Sequence, residues 1–170
     1  GVKIREGNYE VKLRTRNLGK LVPAGQSGLL GIIGQLEEWR KWSVSFPYGD
    51  LPSDEVLAGA GWVSTTKRRR MRLFSIPGGA ARMRDVTEEA AGRIDNGCQV
   101  EYTEITAKER KWWTIGLEAF GRPEMLEDNI RTAAGHFFSA LLRSLGDELS
   151  GFELSNSYGY PAWLEVLASQ

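Results

Sequence analysis

The sequence predicts an α+β fold in which antiparallel strands close into a barrel or tunnel and helices pack on its outside. Three observations predict it. Successive strand-like segments alternate charged with apolar residues. Each carries Lys, Arg or Glu near the middle of one face. The longest helical segment and a last short one follow the strands at the end of the chain. A strand sends successive side chains to opposite sides, so each segment has a charged and an apolar face. Two arrangements satisfy that pattern. The charged face can meet water, as on an ordinary surface sheet. A closed sheet with helices outside can instead turn it inward, toward a highly charged ligand.

Residues 3–16, KIREGNYEVKLRTR, read as a hairpin about Glu6-Gly7-Asn8, where Gly7 supplies the positive φ of a tight turn. Lys3, Arg5, Glu10, Lys12, Arg14 and Arg16 fall on one face, and Val2, Ile4, Tyr9, Val11 and Leu13 on the other. Residues 17–27, with Asn17, Gly19, Pro23 and Gly25, read as a connection. The next strand, clearest over 36–46, sets Glu37, Trp39, Lys41, Ser43 and Ser45 against Leu36, Glu38, Arg40, Trp42, Val44 and Phe46. A short helix follows, capped by Ser53, with Asp54 and Glu55 in its first turn and Gly59 or Gly61 at its end.

Residues 62–74 are β-prone and dense in cations. Alternation separates Lys67 and Arg69 from Arg68, Arg70 and Arg72, and a one-residue bulge would exchange the two sets, so the inward face stays open. Pro77-Gly78-Gly79 marks a turn, and no element is assigned from there to Asn96. Strands at 98–106 and 111–120 meet in a charged turn around Lys108. Their polar faces are Gln99, Glu101 and Thr103, then Trp112, Thr114, Gly116 and Glu118. Pro123 and Glu124 open a helix with the stripe Met125, Ile130, Ala133, Phe137, Leu141 and Leu145. A last helix over 160–168 presents Trp163, Leu164 and Leu167.

At 170 residues the chain is expected to form one domain. Its 22 basic and 22 acidic residues argue against bulk adhesion to nucleic acid or membrane, so neither is expected as a partner, and anion binding must come from local arrangement. Cys98 is the single cysteine, which excludes an internal disulfide, reads as a small buried hydrophobe and suits a reducing, cytoplasmic setting. With His136 the single histidine, no convincing Cys/His or Ser/His site can be built. The glycine-rich stretch 25–34 lacks the Gly-Lys-Ser/Thr of a phosphate loop. The six tryptophans are expected to pack between sheet and helices.

Arginine and lysine suit polyphosphate oxygens, and carboxylates suit Mg²⁺ or Mn²⁺. The segments REGNYEVKLR, TTKRRR, CQVEYTEI and WWTIGLEAFG, with Glu37 and Lys41 between the first two, resemble in that order the CYTH, or triphosphate tunnel metalloenzyme, superfamily. The likeness is closer to a bacterial branch ending in Tyr-Pro-x-Trp-Leu, here Tyr160-Pro161-Ala162-Trp163-Leu164. The resemblance implies a tunnel of antiparallel strands that takes a triphosphate or other organic phosphate with Mg²⁺ or Mn²⁺. It implies Arg5, Lys12, Arg14, Lys41, Lys67 and Arg69 as phosphate ligands and Glu101 and Glu118 as metal ligands. Glu10 and Glu37 would be supporting carboxylates.

The family's opening strand reads Glu-x-Glu-x-Lys, and Tyr9-Glu10-Val11-Lys12 keeps only its second half. The expectation is therefore a domain over 1–170 without the family's first strand, which either lies upstream of Gly1 or is lacking in this branch, with anion binding ahead of metal-dependent hydrolysis. The alternatives are a non-catalytic anion-binding module, and a sheet-plus-helix protein whose charged face meets solvent or a protein partner.

Overall fold

The computed structural model describes residues 1–5, 8–23, 32–45, 53–76, 84–86, 94–145 and 152–168. Its order is β1 (Val2–Arg5), β2 (Asn8–Leu21), β3 (Gly34–Ser45), α1 (Asp54–Gly59), β4 (Thr66–Ser75), β5 (Arg84–Val86), β6 (Gly97–Ala107), β7 (Arg110–Phe120), α2 (Leu126–Leu145) and α3 (Tyr160–Ala168). The fold is α+β. Among the described residues the strands form a three-stranded sheet, β1-β2-β3, and a four-stranded sheet, β5-β4-β6-β7, antiparallel throughout. Chain contacts group into two compact units, one of Gly1–Leu21, Ile33–Ser64 and Phe152–Gln170, the other of Val22–Ile32 and Thr65–Gly151. The turn expected at Pro77-Gly78-Gly79 lies outside the described residues.

In the first unit, Arg5 pairs with Asn8 to close the β1–β2 hairpin, whose Glu6 and Gly7 lie outside the described residues. Strand β2 then runs on to Leu21, so residues 17–21 belong to the sheet and not to a connection. Two register shifts against β3, between Arg14 and Arg16 and between Asn17 and Gly19, each absorb an extra residue. Gly19 meets the second shift at φ 89°, which a side chain would resist. The first shift overturns the placement of Arg16. It lies across from Glu38, on the face opposite Arg14, and its guanidinium is 2.5 Å from Glu38 Oε2. Beyond β3, Ser53 caps α1 by accepting from the Val56 N–H, and Gly61 at φ 79° follows the helix end.

The C-terminal segment is tied to the start of β3. Ile33 N–H donates to the Phe152 carbonyl (2.9 Å), and Gln35 N–H donates to Ser157 Oγ (2.7 Å). Helix α3 buries Leu167 and sets Tyr160 edge-on to Trp163. It approaches the charged face of the sheet: a Cβ on Gly159 would lie 2.7 Å from the Trp39 ring and 2.9 Å from Glu37 Oε2. The apolar face of this first sheet was expected to lie against helices, and several of its residues are instead exposed. Val11 is 39% and Leu13 55% exposed, beside exposed Val2, Trp42 and Val44.

In the second unit β6 and β7 join through Lys108 and Glu109, both at positive φ (45° and 60°), the backbone of a two-residue hairpin that matches strand twist. A short 3₁₀ turn over Pro123–Met125 leads into α2. Buried Ile76, Cys98 and Ala133 form the core, with Leu117 and Ile130 packed against it. The buried stripe of α2 is Asn129, Ala133, Ala134 and Phe138. Phe137, expected in that stripe, is half-buried and edge-on to Phe138, and Leu145 is exposed. Buried Asn129 keeps its amide satisfied by donating to Asn96 Oδ1 (2.8 Å) and the Phe120 carbonyl (3.3 Å), which joins helix to sheet.

Burial pushes the Cys98 thiol up to about 12. His136 is exposed, its ring tilted toward Phe74. Trp42 and Trp113 are about half exposed and so do not serve as packing alone. No helix among the described residues is long and apolar enough to cross a membrane.

Truncating Phe138 to Ala removes a buried ring from α2 and is expected to cost about 3–5 kcal/mol. Leu145→Ala, on the open end of the same helix, is expected to change stability by no more than about 0.5 kcal/mol. Urea melts of the two variants check the contrast.

Candidate functional site

The cross-strand register decides which charges share a surface. In the first sheet Lys3 faces Glu10, Glu10 faces Ser43, Lys12 faces Lys41 and Arg14 faces Trp39, all on one face, with Arg5 and Asn8 at its end. Glu37 keeps the phase of Trp39 and Lys41 and joins them. Arg5, Glu10, Lys12, Arg14, Glu37 and Lys41 thus all lie on the face that alternation assigns them. In the second sheet Lys67 faces Ile105, Arg69 faces Thr103, Glu101 faces Gly116 and Gln99 faces Glu118. Lys67 and Arg69 therefore lie with Glu101 and Glu118, the point that alternation leaves open. Arg68, Arg70 and Arg72 lie behind them.

Each shielded carboxylate is answered. Glu10, 11% exposed at its side chain, has Lys3 Nζ 2.6 Å from Oε2 and Lys41 Nζ 3.5 Å from Oε1. The Lys3 ammonium holds the Glu10 carboxyl below the usual carboxylate range, against burial, which pushes it up, and with Lys41 adding to the effect. Glu37, 9% exposed, accepts from Arg14 Nη1 at Oε1 (2.7 Å) and from Trp39 Nε1 at Oε2 (3.0 Å). Glu101 pairs with Arg69 Nε (3.6 Å) and accepts from the hydroxyl of fully buried Thr103.

Lys12 differs. It is half-buried, it stands directly across from another lysine, and it has no ion-pair partner among the described residues. Like charges directly opposite on neighbouring strands repel. An open groove of about 310 Å³ lies beside it, lined by Lys12, Arg14, Glu37 and Trp39 from the sheet and by Pro161 and Glu165 from α3. Gly159, which lets the chain pass close to Trp39 and Glu37, and Glu165 were not singled out from the sequence. The one signal was a glycine next to the Tyr160-Pro161 helix start.

Glu101 and Glu118 are diagonal neighbours across β6 and β7, and Gly116 opposite Glu101 adds no side chain between them. A Cβ there would meet nothing within 4 Å. No group of three or more His, Cys, Asp or Glu able to hold a metal occurs among the described residues. Against family models, curated proteins and solved structures, the chain finds no match.

The Glu10 pairing gives a pH signature. A depressed folded-state pKa contributes stability that is present in full above the unfolded value and is lost as pH falls through the folded one. Glu10→Gln is expected to cost about 0.5–1 kcal/mol at neutral pH and progressively less at acid pH, as the carboxylate takes up its proton. Urea melts at neutral and acid pH measure the difference.

Proposed function

We propose that this chain binds a triphosphate or another organic phosphate on its charged strand faces. The observation that carries the reading is the Lys12–Lys41 rung, a like-charge pair with one half-buried, unanswered ammonium beside a groove. An anion converts that repulsion into attraction on both sides. Arg14 fits the same ligand, since Glu37 fixes its guanidinium at one edge while the side chain stays open to solvent. Lys67 and Arg69 would supply further phosphate contacts on their own sheet, and Arg5 would extend the cationic row of the first. The tunnel enclosure implied by the CYTH resemblance and a cytoplasmic setting belong to the same reading.

Mg²⁺ or Mn²⁺ held by Glu101 and Glu118 would offset phosphate charge and, in a hydrolytic version, favour the charge that develops as a phosphoryl group is lost. The protein side of that chemistry is electrostatic: Lys and Arg hold the phosphates in place and stabilise negative charge on their oxygens. Glu101 is already engaged by Arg69 and Thr103, and this favours binding without turnover over hydrolysis.

Tripolyphosphate is expected to stabilise the protein by about 2.7 kcal/mol at a hundredfold excess over its dissociation constant. Lys12→Ala separates ligand binding from scaffolding. Without ligand it should leave stability unchanged or raise it by a few tenths of a kcal/mol, because repulsion is relieved. With ligand it should cut the shift. Glu118→Gln should lower only the Mg²⁺-dependent part of the shift, since the amide keeps the shape and loses the charge. Melting titrations with Mg²⁺ and with chelator read all three, and phosphate release under the same conditions reads turnover. No shift in the unmutated protein under either condition overturns the proposal.

A further inference from the structure

The face of the second sheet that turns away from Lys67, Arg69, Glu101 and Glu118 is divided. One end, with Phe74, Cys98, Val100 and Leu117, is buried or half-buried near α2. The other end is open. There β4, β6 and β7 build two rungs, Arg68–Glu104–Trp113 and Arg70–Tyr102–Ile115, flanked by Arg72 on one side and Lys111 on the other. The three arginines, Lys111 and Trp113 are exposed, and the Trp113 ring is half open to solvent. On these three strands the face carries four cations against one carboxylate, Glu104. Neither Arg68 nor Arg70 has an ion-pair partner among the described residues.

We propose that this open end is a binding surface for single-stranded nucleic acid. Alternate arginines along a strand repeat about every 7 Å, a spacing that a stretched nucleic-acid backbone can follow phosphate by phosphate. Beside them, the half-open Trp113 indole offers a ring face of the kind on which unpaired bases stack without regard to sequence. A duplex keeps its base faces inside its own stack and cannot use the indole. An acidic peptide satisfies the arginines and leaves the indole without a role. The charge balance of the whole chain does not oppose the site, because the cations are concentrated on one half of one sheet face. The proposal is independent of phosphate binding at Lys12, which lies on the other sheet.

Fluorescence anisotropy with a labelled deoxythymidine dodecamer tests it, at fixed low salt and then across a salt series. Binding is expected in the range of about 1–100 µM, weakening with salt at a slope of about −0.7 per phosphate neutralised. Arg70→Ala should weaken it at least about fivefold and flatten the slope by about 0.7. Trp113→Ala should weaken it by a similar factor with the slope unchanged, and Trp113→Phe should restore most of the loss, since stacking and not charge is at stake. Glu104→Gln should tighten it. Melting curves establish that each variant is folded. The proposal is overturned by absent binding at low salt, by an Arg70→Ala or Trp113→Ala variant that binds as the parent does, or by polyglutamate or duplex binding as tightly as the dodecamer.

Discussion

A carboxylate set into a sheet face and shut off from most water needs a cation or a fixed donor beside it, because a bare buried charge costs far more than a strand contact returns. The charged faces are arranged around that need. Glu10 draws in Lys3 and Lys41, Glu37 holds Arg14 and Trp39, and Glu101 takes Arg69 and Thr103. Each pairing joins neighbouring strands or successive same-face positions, so the ionic network runs across and along the hydrogen-bonded rungs. Lys12 has no such partner among the described residues, which makes it a natural meeting point for an anion from outside.

That network also explains how much of the site was legible in the sequence. Alternation fixes faces wherever a strand is regular, as it does for Glu10 and Lys12 against Lys41, while for Lys67 and Arg69 it leaves the inward face open. It fails at Arg16, because a bulge leaves no mark in a pattern of charges. It fails again at residues 17–21, for a related reason. Asn17 and Gly19 are turn formers, and here they serve a bulge within a strand: the Gly19 N–H donates to Asn17 Oδ1 (2.9 Å) at the register shift itself.

What covers a face is harder to read than the face itself. Val11 and Leu13 have the spacing of core residues and remain exposed, while α3 lies over the charged side of the same sheet. Its position depends on Gly159, whose missing side chain makes room for Trp39 and Glu37. In α2 the helical period foretold an apolar stripe, and the structure keeps Ile130 and Ala133 on the inward side but buries Phe138 in place of Phe137. Asn129 enters the buried side because Asn96 and the Phe120 carbonyl answer its amide. Such a partner comes from another strand end and carries no local sequence signal.

The lone thiol has a different consequence. Cys98 is fully enclosed, and its pKa near 12 leaves almost none of it as the reactive thiolate at neutral pH. A thiol reagent must therefore wait for the core around Ile76 and Ala133 to open. With one cysteine in the chain, the rate of alkylation under native conditions becomes a clock for the opening of the second unit alone, read without any engineered label.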